Sequence, residues 1–154
     1  MSNSLEQFGD LLALYDLGDD AWDALVAAAA EVVAQGIATP GMVELASQPA
    51  RGPRNVFEFG ALVAAARDET GMGRLDDSAT ALRATQGQIR RWRAGDLSDA
   101  ELLSFAYGVG SDVTPGSDLD RLWILFVKAE ELDNFTGRMD IHHEIEDIAD
   151  SIAQ

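Results

Sequence analysis

Apolar residues recur along this chain at three- and four-residue spacing, in runs that open on Ser, Thr, Asn or Asp and close mostly on Gly. No segment alternates apolar and polar residues over a strand's length. Such periodicity confines the fold to packed helices, because a 3.6-residue repeat gathers these positions onto one face. The expectation is an all-α protein, a compact bundle of about seven or eight short helices. Its 154 residues are one domain's worth of core.

The punctuation places the helices. Ser4 with Gln7 has the form of a capping box ahead of Leu5, Phe8, Leu11, Leu12 and Tyr15, and Gly18 ends that run. Asp19 or Asp20 is placed to cap a second helix bearing Trp22, Leu25, Val26, Ala29, Val32 and Val33, with Gly36 just past its end. Thr39-Pro40 opens a short third helix carrying Met42, Val43 and Leu45. The loop-like stretch Gln48-Pro49-Ala50-Arg51-Gly52-Pro53 then predicts a hinge over 48–54 within a single domain, 1–154. Asn55 with Glu58 caps a helix through Val56, Phe59, Leu62, Val63 and Ala66 to Gly71. Ala79, Leu82, Ile89 and Trp92 outline a fifth helix ending at Gly95, and Ser98 with Glu101 boxes the start of a sixth. Leu119, Leu122, Trp123 and Phe126 mark another helix, and Ile141, Ile145, Ile148 and Ile152 a last amphipathic one.

Charge narrows the partners. The formal net charge is −16, from 27 acidic and 11 basic side chains. Residues 1–50 hold eight acids and no Lys or Arg, residues 51–111 match eight acids with eight arginines, and residues 112–154 set eleven acids against three bases. A field of that sign repels nucleic-acid backbones and anionic membranes and attracts basic proteins. The same charge also serves solubility alone. No apolar run is long enough to span a bilayer and no basic leader precedes one, so a soluble, cytoplasmic protein is expected. The absence of cysteine removes disulfides, zinc–thiolate sites and thiol catalysis.

Catalytic and metal chemistry find little support. His142 and Glu146, or His143 and Asp147, stand at i,i+4 and supply two ligands at most, so no metal and no other cofactor is expected. The carboxylate pairs Asp19/Asp20 and Asp76/Asp77 fall where helix caps belong, and Glu130/Glu131 forms a third pair. No nucleophile elbow, P-loop or dinucleotide fingerprint occurs, and the chain is not expected to be an enzyme.

Two resemblances bear on function. Gly60, Val63, Arg67 and Gly71, then Ala79, Leu82, Thr85-Gln86-Gly87-Gln88-Ile89-Arg90-Arg91-Trp92-Arg93 and Gly95, resemble the phage-repressor type of helix-turn-helix. Ser78 stands where that family has an apolar anchor, and Arg83 where it has the glycine of the turn. The resemblance implies a recognition helix opening at Thr85, with Gln86 and Gln88 toward base edges and Arg90, Arg91 and Arg93 toward bases or phosphates. The succession Val32 to Pro40, Glu44-Leu45-Ala46, Trp92 to Ser98, and Leu119 through Phe126 to Glu131 and Asp133 resembles small acidic all-helical bacterial proteins, some of which are immunity proteins that cover a toxin's basic site.

The reading that follows is a non-enzymatic acidic protein binding a basic protein surface, as an immunity protein or inhibitor does. Asp16, Asp19, Asp20 and Asp23, or the tail acids Glu130, Glu131 and Asp133, would steer the partner, with Trp22 or Trp123 as anchors. The alternative is a DNA-binding regulator acting through Gln86, Gln88, Arg90, Arg91 and Arg93. The apolar helix faces also permit a homodimer.

Overall fold

The computed structural model describes residues 3–18, 21–110 and 135–152. Seven helices and no strand are found among them: α1 (Ser4–Asp16), α2 (Trp22–Ala34), α3 (Pro40–Ala46), α4 (Val56–Thr70), α5 (Asp77–Arg93), α6 (Asp99–Gly110) and α7 (Phe135–Ile152). The protein is all-α. The helix expected through Leu119 and Phe126, with Trp123, lies outside the described residues. The chain divides into two compact units, Met1–Ala84 and Thr85–Gln154, with the boundary inside α5.

Local chemistry sets most of the helix ends. Asn55 Oδ1 accepts the Phe57 and Glu58 N–H groups, and Gly71 closes α4 in the left-handed region at φ 70°. At the end of α2 the Ile37 N–H reaches Val32 O at 3.2 Å and the Gly36 N–H reaches Val33 O at 3.0 Å. That paired closure needs the positive φ of 99° that Gly36 adopts. The Ser98 box is complete: Glu101 accepts the Ser98 N–H at 2.8 Å, and Ser98 Oγ accepts the Glu101 N–H at 3.1 Å. One cap shifts by a residue. Asn3, not Ser4, caps α1 by accepting the Leu5 N–H at 3.0 Å, and Ser4 is buried as the first helical residue.

In the first unit, α2 packs against α1 and α3, and α3 against α4. Phe8, Leu12, Leu25, Val32, Met42, Leu45, Phe59 and Val63 form the centre of its core. The 48–54 connector lies inside this unit, and Arg54 ties it down. Its Nη2 donates to Pro49 O at 2.6 Å and to Asp23 Oδ1 at 2.7 Å, and its guanidinium lies 5.4 Å from the centroid of the Phe59 ring. In the second unit Ile89 and Trp92 of α5, Leu102, Leu103 and Ala106 of α6, and Ile145, Ile148 and Ala149 of α7 make a separate core.

Helix α3 is closed from a distance. Its cap residue Thr39 makes no side-chain cap bond, and the buried Thr39 Oγ1 has no partner. Instead both carboxylate oxygens of Glu69, on α4, accept the Gly41 N–H at 3.0 and 2.9 Å. The two helices approach so closely that a Cβ at Gly41 would lie 2.8 Å from Glu69 Oε2 and 3.0 Å from the α4 backbone at Ala65 and Ala66. Gly60, within α4, has only Tyr15 Oη nearby, at 3.6 Å. In urea unfolding, Gly41→Ala should destabilise the protein by about 1–3 kcal/mol through overpacking. Gly60→Ala should instead stabilise it by about 0.5–1 kcal/mol by removing backbone entropy in a helix interior. Equal effects would mean that α3 and α4 are not in backbone contact.

Candidate interaction surface

Some acidic residues are held by an intramolecular cation or a backbone N–H, and others are left to solvent. Asp16, at the end of α1, belongs to the first group. Arg67 of α4 meets it with both arms, Nη1 to Oδ2 at 3.0 Å and Nη2 to Oδ1 at 2.9 Å, and both side chains are largely buried. Asp10, also on α1, is buried and receives Arg83 Nε at 3.3 Å. Asp23 is exposed but pairs with Arg54 at 2.7 Å. Asp76 accepts the Ala79 N–H at 2.8 Å as the cap of α5. Trp22 is half-buried and stacks on Phe59 with ring centroids 5.3 Å apart. Of the residues expected to meet a partner, Asp19, Asp20, Glu130, Glu131 and Asp133 lie outside the described residues.

Helix α7 presents the second group. Ile145, Ile148 and Ala149 point into the core, while His143, Glu144, Glu146, Asp147, Asp150 and Ser151 are all exposed. Arg93 of α5 pairs with Asp150 at 2.5 Å, and His142 Nε2 approaches Glu146 Oε1 at 3.3 Å. Glu144 and Asp147, one turn apart on the wet face, meet no cation among the described residues.

His142 joins α7 to the start of α6. Its Nδ1 lies 2.9 Å from Asp99 Oδ2, and Asp99 Oδ1 accepts the Trp92 Nε1–H at 2.7 Å. The Trp92 and His142 rings are 5.3 Å apart. The hydrogen bond to Asp99 raises the His142 pKa above its ordinary 6.5, and the charges of Asp99 and Glu146 add to it against the opposing effect of burial. The i,i+4 reach of Glu146 was legible in the sequence. Asp99 was not, because it looked like an ordinary first-turn acid of the Ser98 box. The carboxylates occupy both ring nitrogens, and among the described residues no group of three or more His, Cys, Asp or Glu is placed to hold a metal ion.

Helix α5 runs unbroken from Asp77 to Arg93, so the turn before Thr85 that the helix-turn-helix resemblance implies is not there. Arg83 at the expected turn position is compatible with helix, and no proline interrupts the segment. The buried face of α5 includes Thr80, Ala84, Thr85, Gln88, Ile89 and Trp92, with Thr85 fully buried. Leu82, expected in the apolar stripe, is half exposed, as is Val56 of α4, and Phe57 beside Val56 is 88 % exposed. Gln88 accepts Arg91 Nη1 at 3.0 Å, Arg93 is the partner of Asp150, and Gln86 and Arg90 are half-buried and engaged within the protein. Among the described residues no helix is long and apolar enough to cross a membrane.

No protein-family model matches the chain, and comparison with curated proteins and with solved structures finds no match.

The His142 clamp has a defined pH signature. A pKa raised by folding means that the imidazolium stabilises the native state fully below about 6.5, and that this contribution is lost as pH rises through the folded-state value. An NMR titration of the His142 ring should therefore give a midpoint above 6.5. Asp99→Asn should bring it down toward that value and Glu146→Gln should move it less. A wild-type midpoint at or below 6.5 would contradict the clamp.

Proposed function

We propose that this chain is a non-enzymatic interaction protein that docks a basic protein surface, in the manner of a bacterial immunity or inhibitor protein acting in the cytoplasm. The observation that supports this reading best is the outward face of α7, where Glu144 and Asp147 stand exposed with no cation beside them among the described residues, while most of the same face is also acidic. Asp16 contributes little to such a surface, since Arg67 neutralises it inside the first unit. Asp23 is outward but shares its charge with Arg54. Electrostatic work on a partner thus falls mainly to acids such as those of α7, supplemented by the tail acids Glu130, Glu131 and Asp133.

Exposed charges of this kind act chiefly before contact. They bias the diffusional approach of a positively charged partner, and salt screens them over about 8–10 Å. The packing of α5 disfavours the DNA-binding alternative, because Thr85 and Gln88 are withdrawn from the surface and Arg91 and Arg93 have partners within the protein.

The test uses basic proteins encoded beside this chain's gene as candidate partners, with association followed by surface plasmon resonance. The association rate should fall by about tenfold or more between low and high salt. Glu144→Lys with Asp147→Lys should slow association several-fold and change the dissociation rate less. A complex whose formation ignores ionic strength would refute the electrostatic mechanism.

A further inference from the structure

In the first unit, α1, the end of α4 and the turn into α5 enclose a cleft of about 220 Å3, with Leu12, Asp16, Arg67, Met72, Leu75 and Arg83 among its walls. Its two guanidinium groups are not equivalent. Arg67 is matched on both arms by Asp16, at 2.9–3.0 Å. Arg83 touches Asp10 through Nε at 3.3 Å and the Glu6 carbonyl through Nη2 at 3.5 Å, both near the outer limit for N–H···O bonds, and its Nη1 donates to no described group. It can lie there because residue 9 is glycine: a Cβ at that position would collide with the Arg83 guanidinium. A second feature of the same cleft is apolar. Met72 and Leu75 line it, and Leu75 is 42 % exposed.

An incompletely matched planar donor beside a partly exposed aliphatic wall suits one ligand chemistry. A carboxylate matches the guanidinium fork, and an apolar body attached to it displaces water from Met72 and Leu75. A cation would find no equivalent, because Asp16 is already neutralised by Arg67 and Asp10 is buried against Arg83. We propose that this cleft binds a small carboxylic acid, held by Arg83 with its apolar part against Met72 and Leu75. This site is independent of the acidic face of α7 and of any protein partner.

Benzoate is the probe, added to the full chain labelled with 15N. Saturable shifts are expected at the amides of Gly9, Gly71, Gly73 and Leu75, with a Kd on the order of millimolar, as befits a ligand of about nine non-hydrogen atoms. Benzyl alcohol and benzylamine, which keep the ring and lose the carboxylate, should produce none. Arg83→Gln should weaken benzoate about tenfold, the loss expected for a charge-assisted bond. Leu75→Ser, at an exposed position that the core does not depend on, should weaken it several-fold and serves if the Arg83 variant fails to fold. The proposal is overturned if benzoate gives no saturable shift up to about 20 mM, a range that covers weak ligands. It is also overturned if benzyl alcohol binds as well, or if Leu75→Ser leaves the affinity unchanged.

Discussion

With 27 acids and only 11 Lys or Arg in the whole chain, the choice of acid that each cation meets decides which elements are tied together. Four arginines make such ties. Arg67 joins α4 to α1 through Asp16, Arg83 joins α5 to α1 through Asp10, Arg54 fastens the connector to α2 through Asp23, and Arg93 joins α5 to α7 through Asp150. The pairs differ in energetic character. Asp16–Arg67 is largely removed from water, so its worth lies in complementarity and removal of either member would strand a charge. Asp150–Arg93 is exposed on both sides and contributes little beyond orientation.

This use of arginine also governs what the surface can do. Every acid turned inward to meet a guanidinium is subtracted from the field seen by a partner, and Asp16 and Asp10 are subtracted almost wholly. What is left outward is carried by residues such as Glu144 and Asp147, whose helix buries isoleucines on its other side and so fixes the direction of the charge. The electrostatic character of the protein is therefore a difference between total acidity and internal pairing, and the net charge alone overstates it.

Legibility in the sequence followed the range of the interactions. Helix class and most ends could be read because caps and left-handed glycines act within four or five residues: Asn55, Ser98 with Glu101, Gly36 and Gly71 all behave as their positions imply. Asn3 in place of Ser4 is a one-residue error between two competent caps. The ion pairs could not be read, since their partners lie far apart in the chain and any exposed-looking aspartate would have served. Helix α5 and its end at Gly95 could be read, but not the make-up of its buried face. Its buried face carries Thr85 and Gln88, polar types that a hydrophobicity pattern assigns to water, while Leu82 sits half in solvent. The Asp99 acceptor shared by Trp92 and His142 required knowing that α7 returns to the start of α6, which no local rule encodes.

The carboxylate of Glu69 on the first amide of α3 carries an implication for the order of events during synthesis. A seven-residue helix is well below the length that sustains itself in water, and this one has no working cap of its own. Its amide finds its acceptor 28 residues downstream. While the chain is emerging from the ribosome, the segment from Pro40 to Ala46 has α2 to pack against, but its first amide gains its acceptor only after the far turn of α4 has been released. The last step in closing this helix is thus set by the arrival of Glu69.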